Sequence, residues 1–295
     1  MNPKQILLTF LWVAFLLPVL TEAQPVDTEG RLLITAPFTR TPPTIDGVLS
    51  PGEWSGAGSA VVDFVQLGVA GNSGPQVSDG PEDISYTFSV LYDSQYVYLG
   101  VSVRDDVYIS ENYGKRLQWD LPVTWENDAV EYFFDGDVSR TLQAIRNTLE
   151  TETGGQWIYG RGEGDTPDPF VTPELYGNQV RPYGTGPEAV WYAQTTVNTQ
   201  TADWQQEARF ALSIIGSPRA GSEIGFNINV DDVDTYDPTT LTPDVYVELR
   251  EIQLYWIVFQ YNPGDVTNEN THEIEDLWGT LRFLEPTAIE EWPLF

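Results

Sequence analysis

Apolar and polar positions alternate strictly along much of the chain, a pattern that predicts strands rather than helices. Tyr86, Phe88 and Val90 alternate with Thr87 and Ser89, and after Asp93-Ser94-Gln95 the residues Val97, Leu99, Val101 and Val103 alternate with Tyr96, Tyr98, Gly100 and Ser102. Successive side chains of a strand face opposite ways, so each run presents one apolar face, and the polar break turns the pair into a hairpin. Ile224, Phe226, Ile228 and Val230 alternate in the same way with Gly225, Asn227, Asn229 and Asp231. Further strands are expected at 189–198, 204–214, 254–261 and 278–284, and in part of the lead-in 24–43. Leu142, Ile145 and Leu149 recur at helical spacing and predict a short helix over 139–150, with a strand as the alternative. Asp46-Gly47 and Pro51-Gly52 mark turns, and Trp54 is expected to plug the core. Residues 66–83 read as a surface loop and 151–187 as a long Gly/Pro-rich excursion. No internal repeat and no long amphipathic helix is visible. Many short strands with regular turn signals imply an all-β fold, an antiparallel β-sandwich of jelly-roll-like type with long loop insertions, as one domain over residues 24–295.

The segment Trp125–Asp135 stands out within this pattern. As a strand it places Asp128, Val130, Tyr132 and Phe134 on one face and Ala129, Glu131, Phe133 and Asp135 on the other. Glu131 is thus a carboxylate inside an otherwise apolar segment, six residues after an indole. A flat aromatic beside a positioned carboxylate suits a sugar, whose C–H faces stack and whose hydroxyls donate. The competing reading is a core strand with a solvated acidic lead-in.

Composition narrows the partners. The 44 acidic and 14 basic residues give a formal charge of -30, which excludes phosphate-rich nucleic acid as a natural ligand and disfavours anionic membrane surfaces. Ten Trp, fifteen Tyr and thirteen Phe are many for this length, and Tyr and Trp supply amphipathic surface suited to binding. Residues 1–23 have the form of a signal peptide: Lys4, an apolar run from Ile6 to Leu20, and Thr21-Glu22-Ala23 before Gln24. Cleavage near Ala23 would make the protein secreted, extracellular or periplasmic, with no membrane insertion afterwards; retention as an anchor is the alternative. With no Cys, there is no disulfide framework and no lipid-modified Cys.

Several segments, taken in order, resemble carbohydrate-binding module family 9 and the wider DOMON-like sandwich group. They are Ile45-Asp46-Gly47 with Trp54, Val90-Leu91-Tyr92-Asp93 with Tyr96-Val97-Tyr98-Leu99, and Val103-Arg104-Asp105. The run from Trp125 to Glu131 is similar to the family's WEQDSVEIF signature, Gly225–Asp232 to GFNIQVND, and Trp278-Gly279-Thr280-Leu281 to a closing FGNLRL. The resemblance spans roughly residues 40–285 and implies a non-catalytic β-sandwich that holds polysaccharide ends between two indoles, with structural calcium. It implies Trp125 as one stacking ring, Glu131 as acceptor for sugar hydroxyls, Asn229 as a polar amide on the binding face, and Arg146 (Arg140 as alternative) as the ligand-binding cation. The second indole position falls on His272, so the opposite wall is His272 or an aromatic from elsewhere, Trp157, Tyr159 or Trp256. The implied partner is a polysaccharide or oligosaccharide.

Two acidic groupings are candidates for calcium, which prefers several carboxylate and carbonyl oxygens. One is Asp231, Asp232, Asp234 and Asp237; the other is Asp105-Asp106 with Glu126 or Asp128. Enzymatic readings are less well supplied. Glu126, Asp128 and Glu131 would allow a glycoside hydrolase pair, but no nucleophile-elbow motif surrounds any Ser, and one His with no Cys is too few for zinc. A haem-binding DOMON-like domain would have only His272 as axial ligand, since Met1 is the only Met. An adhesion module that binds protein is the remaining alternative.

Overall fold

The structure is a computed structural model that describes residues 25–62, 70–71, 74–75, 80, 82–109, 127–140, 154–160, 191–234, 252–257 and 275–286. Thirteen strands are present among these: β1 (Leu33–Ala36), β2 (Gly58–Val62), β3 (Ala70–Gly71), β4 (Gly74–Pro75), β5 (Ile84–Tyr92), β6 (Tyr96–Asp105), β7 (Ala129–Asp135), β8 (Gly154–Gly160), β9 (Trp191–Val197), β10 (Trp204–Ala211), β11 (Glu223–Asp232), β12 (Ile252–Tyr255) and β13 (Gly279–Phe283). Sheet I runs β1-β13-β11-β7-β8, with β12 also on β11; sheet II runs β2-β5-β6-β10-β9; β3 and β4 form a separate pair. All pairings are antiparallel except β1 with β13. The expected all-β sandwich is the fold, with two short 3₁₀ turns at Leu212–Ile214 and Glu275–Leu277 and no α-helix among the described residues. None of their helices is long and apolar enough to cross a membrane.

The alternating rows explain the layers. Val97, Leu99, Val101 and Val103 of β6 and Val130, Tyr132 and Phe134 of β7 point inward, with Phe226, Ile228 and Val230 of β11. Phe134 is the hub, with ring centroids 5.1 Å from Phe210, 5.4 Å from Phe226 and 5.6 Å from Trp157. Two tyrosine hydroxyls inside this core are satisfied across the sandwich: Tyr132 donates to Gln206 Oε1 at 2.6 Å and Tyr86 to the Ile228 carbonyl at 3.1 Å. Gln206 Nε2 in turn donates to the Tyr159 carbonyl and Thr195 Oγ1.

The structure revises four expectations. Residues 154–160, expected within a loop excursion, form β8 beside β7. Glycine makes this possible: Gly154 has φ +152°, and a Cβ there would meet the Phe134 carbonyl oxygen at 2.0 Å. Trp157, Tyr159 and Trp256, offered as a possible second sugar wall, are only 2%, 1% and 6% exposed in the inter-sheet core. The strand expected over 254–261 runs from Ile252 to Tyr255 in the described residues. Trp54 is not an inter-sheet plug but packs on the outside of sheet II, where Gly100 leaves room; a Cβ on Gly100 would lie 2.8 Å from its ring. The helix expected over 139–150 and the signal segment 1–23 lie largely or wholly outside the described residues.

Glu207 on β10 holds the turn that carries Trp54. Its carboxylate accepts from Asp46 N at 3.0 Å, Gly47 N at 3.1 Å and Trp54 Nε1 at 2.9 Å. Burial pushes its pKa up to about 7 from an ordinary 4.5. The folded state thus holds this proton more tightly than the unfolded chain, so the group favours folding most below about pH 4.5, and that contribution is lost as pH rises through about 7. Urea denaturation of wild type and Glu207→Gln across pH 4.5–8 should show a component on the order of 2–3 kcal/mol that only the wild type loses with rising pH. Parallel pH profiles for the two proteins would refute it.

Candidate functional site

Residues of β7 and β11 that point away from the core build a polar face on sheet I. Glu131 and Asn229 are direct cross-strand partners, as are Ala129 and Asp231, and Tyr255 of β12 stands opposite Asn229. Glu131 is 1% exposed and Asn229 fully buried. Gln156 of β8 donates from Nε2 to Glu131 Oε2 at 2.6 Å, and Asn229 Nδ2 donates to Asp231 Oδ1 at 3.3 Å. Two buried acceptors here, Asn229 Oδ1 and Gln156 Oε1, have no hydrogen-bond partner among the described residues. Unsatisfied buried acceptors are costly, and a hydroxyl-rich ligand is the kind of molecule that would satisfy them. Phe133 closes one side of the patch, 6.1 Å from Tyr255 and 5.4 Å from the fully buried Trp278.

Of the expected sugar-site residues, the structure brings Glu131 and Asn229 together. Trp125, Arg146 and His272 lie outside the described residues. Arg140, the alternative cation, is committed elsewhere: Nη1 donates to the carbonyls of Glu275, Trp278 and Gly279, Nη2 donates to Thr280 Oγ1, and Nε lies 3.8 Å from Asp135 Oδ2. It ties the turn after β7 to the segment entering β13. Gln156 is a member of the patch that sequence reasoning missed, because its strand was hidden among glycines; a polar residue between Gly155 and the aromatic run Trp157-Ile158-Tyr159 was the available signal.

A second cluster sits inside one end of the sandwich. Asp105 ends β6, Asp128 immediately precedes β7 and Asp232 ends β11, each continuing an inward-facing apolar row. One oxygen from each lies within 4.8 Å of the others, and the three residues are 3%, 1% and 1% exposed. Asp128 accepts from Val233 N at 2.9 Å and from Ile109 N, while Asp105 accepts from Val107 N and Trp204 Nε1, both at 2.9 Å. Burial raises the Asp105 pKa to about 7 and that of Asp128 well above the carboxylate range, where Asp105 and Asp232 add repulsion. Asp83, Asp106 and Asp234 form a parallel, more exposed group by the same distance criterion. A donor set made only of carboxylate oxygens, drawn from both sheets and crowded in the interior, fits a hard divalent cation such as calcium. The acidic tract is therefore divided: Asp231 faces Asn229 on the outside, Asp232 and Asp234 join different groups, and Asp237 lies outside the described residues.

Comparison with known proteins agrees with this architecture. Residues 45–153 match the family model described as carbohydrate family 9 binding domain-like. A family 9 carbohydrate-binding module from Caldicellulosiruptor kristjanssonii in complex with cellotriose superposes with TM-score 0.54 at 17% identity, covering 89% of this chain and 99% of that one. A family 9 module from the same organism in complex with glucose gives TM-score 0.53 at 16% identity, covering 88% and 99%. No curated protein sequence matches the chain. Residues 45–153 thus carry a sequence pattern similar to the carbohydrate family 9 binding domain-like model, and over most of its length the chain has the β-sandwich fold of the two solved modules.

Proposed function

We propose that the protein is a secreted, non-catalytic carbohydrate-binding protein whose sugar site lies on the outer face of sheet I. The juxtaposition of Glu131 with Asn229, a charged and an amide acceptor side by side on neighbouring strands, carries this reading. Glu131 accepts hydrogen bonds from sugar hydroxyls and Gln156 orients it; Asn229 offers its unpartnered oxygen. Trp125 stacks on the ring, Arg146 adds a polar rim and His272 forms the opposite wall. The related modules solved with cellotriose and glucose make neutral glucans the first ligands to try. Calcium at the Asp105–Asp128–Asp232 cluster serves the fold rather than the sugar.

The test is a binding screen of oligosaccharides and polysaccharides, beginning with cellotriose and glucose. Glu131→Gln removes a charged acceptor and is expected to weaken any hit by about tenfold to a hundredfold, corresponding to about 1.5–3 kcal/mol. Trp125→Ala should abolish it, with the thermal melts of both variants nearly unchanged. Affinity that survives both substitutions would place the site elsewhere.

A further inference from the structure

The opposite side of the sandwich carries a second, differently built concavity of about 600 Å³ on the outer face of sheet II. Its floor is one transverse row. Val61 of β2 pairs with Thr87 of β5, Thr87 with Ser102 of β6, Ser102 with Gln205 of β10, and Gln205 with Thr196 of β9. Strands lie about 4.8 Å apart, so the row crosses all five strands over roughly 19 Å. The turn pinned by Glu207 forms one wall, with Leu49 N donating to Gln205 Oε1 at 3.0 Å and Val48 at the rim.

The chemistry of this floor contrasts with the rest of the chain. Among 44 acidic and 14 basic residues, none falls on the row. The charged groups stand at its margin: Arg104 is paired with Glu82, and Asp203 accepts from Thr201 Oγ1 and Asp105 N. The hydroxyls of Thr87, Ser102 and Thr196 and the Nε2 of Gln205 make no hydrogen bond to any described residue. Val61 and Val48 are 62% and 41% exposed, which places apolar surface at one end and along the rim. Uncharged donors and acceptors at a regular spacing, flanked by small apolar contacts, match a neutral polymer of hydroxyls and C–H faces. They match neither an anion, which the net charge of -30 repels, nor a protein helix, which needs a continuous apolar stripe.

We infer that this groove is a second glycan-binding site, which takes an extended neutral polysaccharide segment laid across the strands of sheet II. One polar side chain from each of β5, β6, β10 and β9 meets the polymer as it crosses, and Val48 and Val61 contact its C–H faces. This rests on the neutral-glycan reading of the protein and adds a face that the Glu131 site does not use. Two sites on opposite faces would let one molecule bridge two polysaccharide chains, raising avidity without new contacts at either site.

Isothermal titration with cellohexaose separates the two sites. The wild type is expected to bind at two sites. Glu131→Gln should leave one intact, and Ser102→Glu, which sets a charge in the middle of the floor, should weaken that remaining site by at least about tenfold. Ser102→Thr, which keeps the hydroxyl, should retain it, and an unchanged melt of Ser102→Glu would exclude misfolding. Groove affinity should also fall from cellohexaose to cellobiose, as fewer strands are spanned. Binding that is lost in Glu131→Gln and unaltered in Ser102→Glu overturns the groove and leaves the sheet I site standing. Binding lost only in Ser102→Glu supports the groove and removes the sheet I site. No binding of cellohexaose by the wild type overturns the groove.

Discussion

Phe134→Ala is expected to destabilise the protein by about 3–5 kcal/mol, the range for deleting a fully buried aromatic ring. Phe134 is fully buried and touches aromatic residues of both sheets: Phe226 beside it on β11, Trp157 on β8 and Phe210 across the sandwich on β10. Trp191 stacks on Phe210 at 5.7 Å with nearly parallel planes, so a cavity at 134 also leaves that stacked pair unsupported. Close packing on all sides limits collapse into the void, which puts the cost at the high end. Phe134→Leu retains more of the volume and should cost less. Urea denaturation monitored by tryptophan fluorescence measures both; a loss below about 1 kcal/mol for the alanine variant would show that the two sheets do not share this core.

Removal of divalent cations is the second large effect. If calcium occupies the cluster of Asp105, Asp128 and Asp232, free calcium at about a hundred times its dissociation constant adds about 2.7 kcal/mol to stability. In a protein of this size that corresponds to a fall in melting temperature of about 5–10 °C on chelation. Asp128→Asn keeps the side-chain shape and an acceptor for Val233 N or Ile109 N but removes a charged ligand. Its melt should depend far less on calcium than that of the wild type. Identical wild-type melts in calcium and in chelator would remove the metal from the account. Apolar burial between the sheets is untouched by chelation, so the metal effect should be a shift of the melt rather than loss of the fold.

Much of the sandwich was legible because a period of two is a local property. Val97 to Val103, Val130 to Phe134 and Ile224 to Val230 each declare their inward face without reference to any neighbour, and the same arithmetic placed Glu131 and Asn229 outside. The Asp93 turn was equally local: its Oδ1 accepts from Gln95 N at 2.7 Å and Tyr96 N at 2.8 Å. What escaped is what depends on distant partners. Residues 154–160 are poor in sequence signal because close backbone approach to β7 selects glycine, which reads as loop. Trp54 looked like core because an indole usually is, yet its seat is a glycine 46 positions later, on the outer side of β6. The acidic cluster was seen as two separate halves. Its assembly needed the knowledge that the ends of β6 and β11 and the start of β7 meet, and each of those inward rows closes on an aspartate.

Asp128 and Glu131 lie three positions apart on opposite sides of β7, while Asp232 and Asn229 do the same on β11. A slip of one residue in either strand would turn Glu131 or Asn229 toward the oily interior and swing Asp128 or Asp232 out of reach of Asp105. A cation that demands all three carboxylates would therefore act as a proofreader of alignment. It would reward only the pairing in which Glu131 and Asn229 also face away from the core.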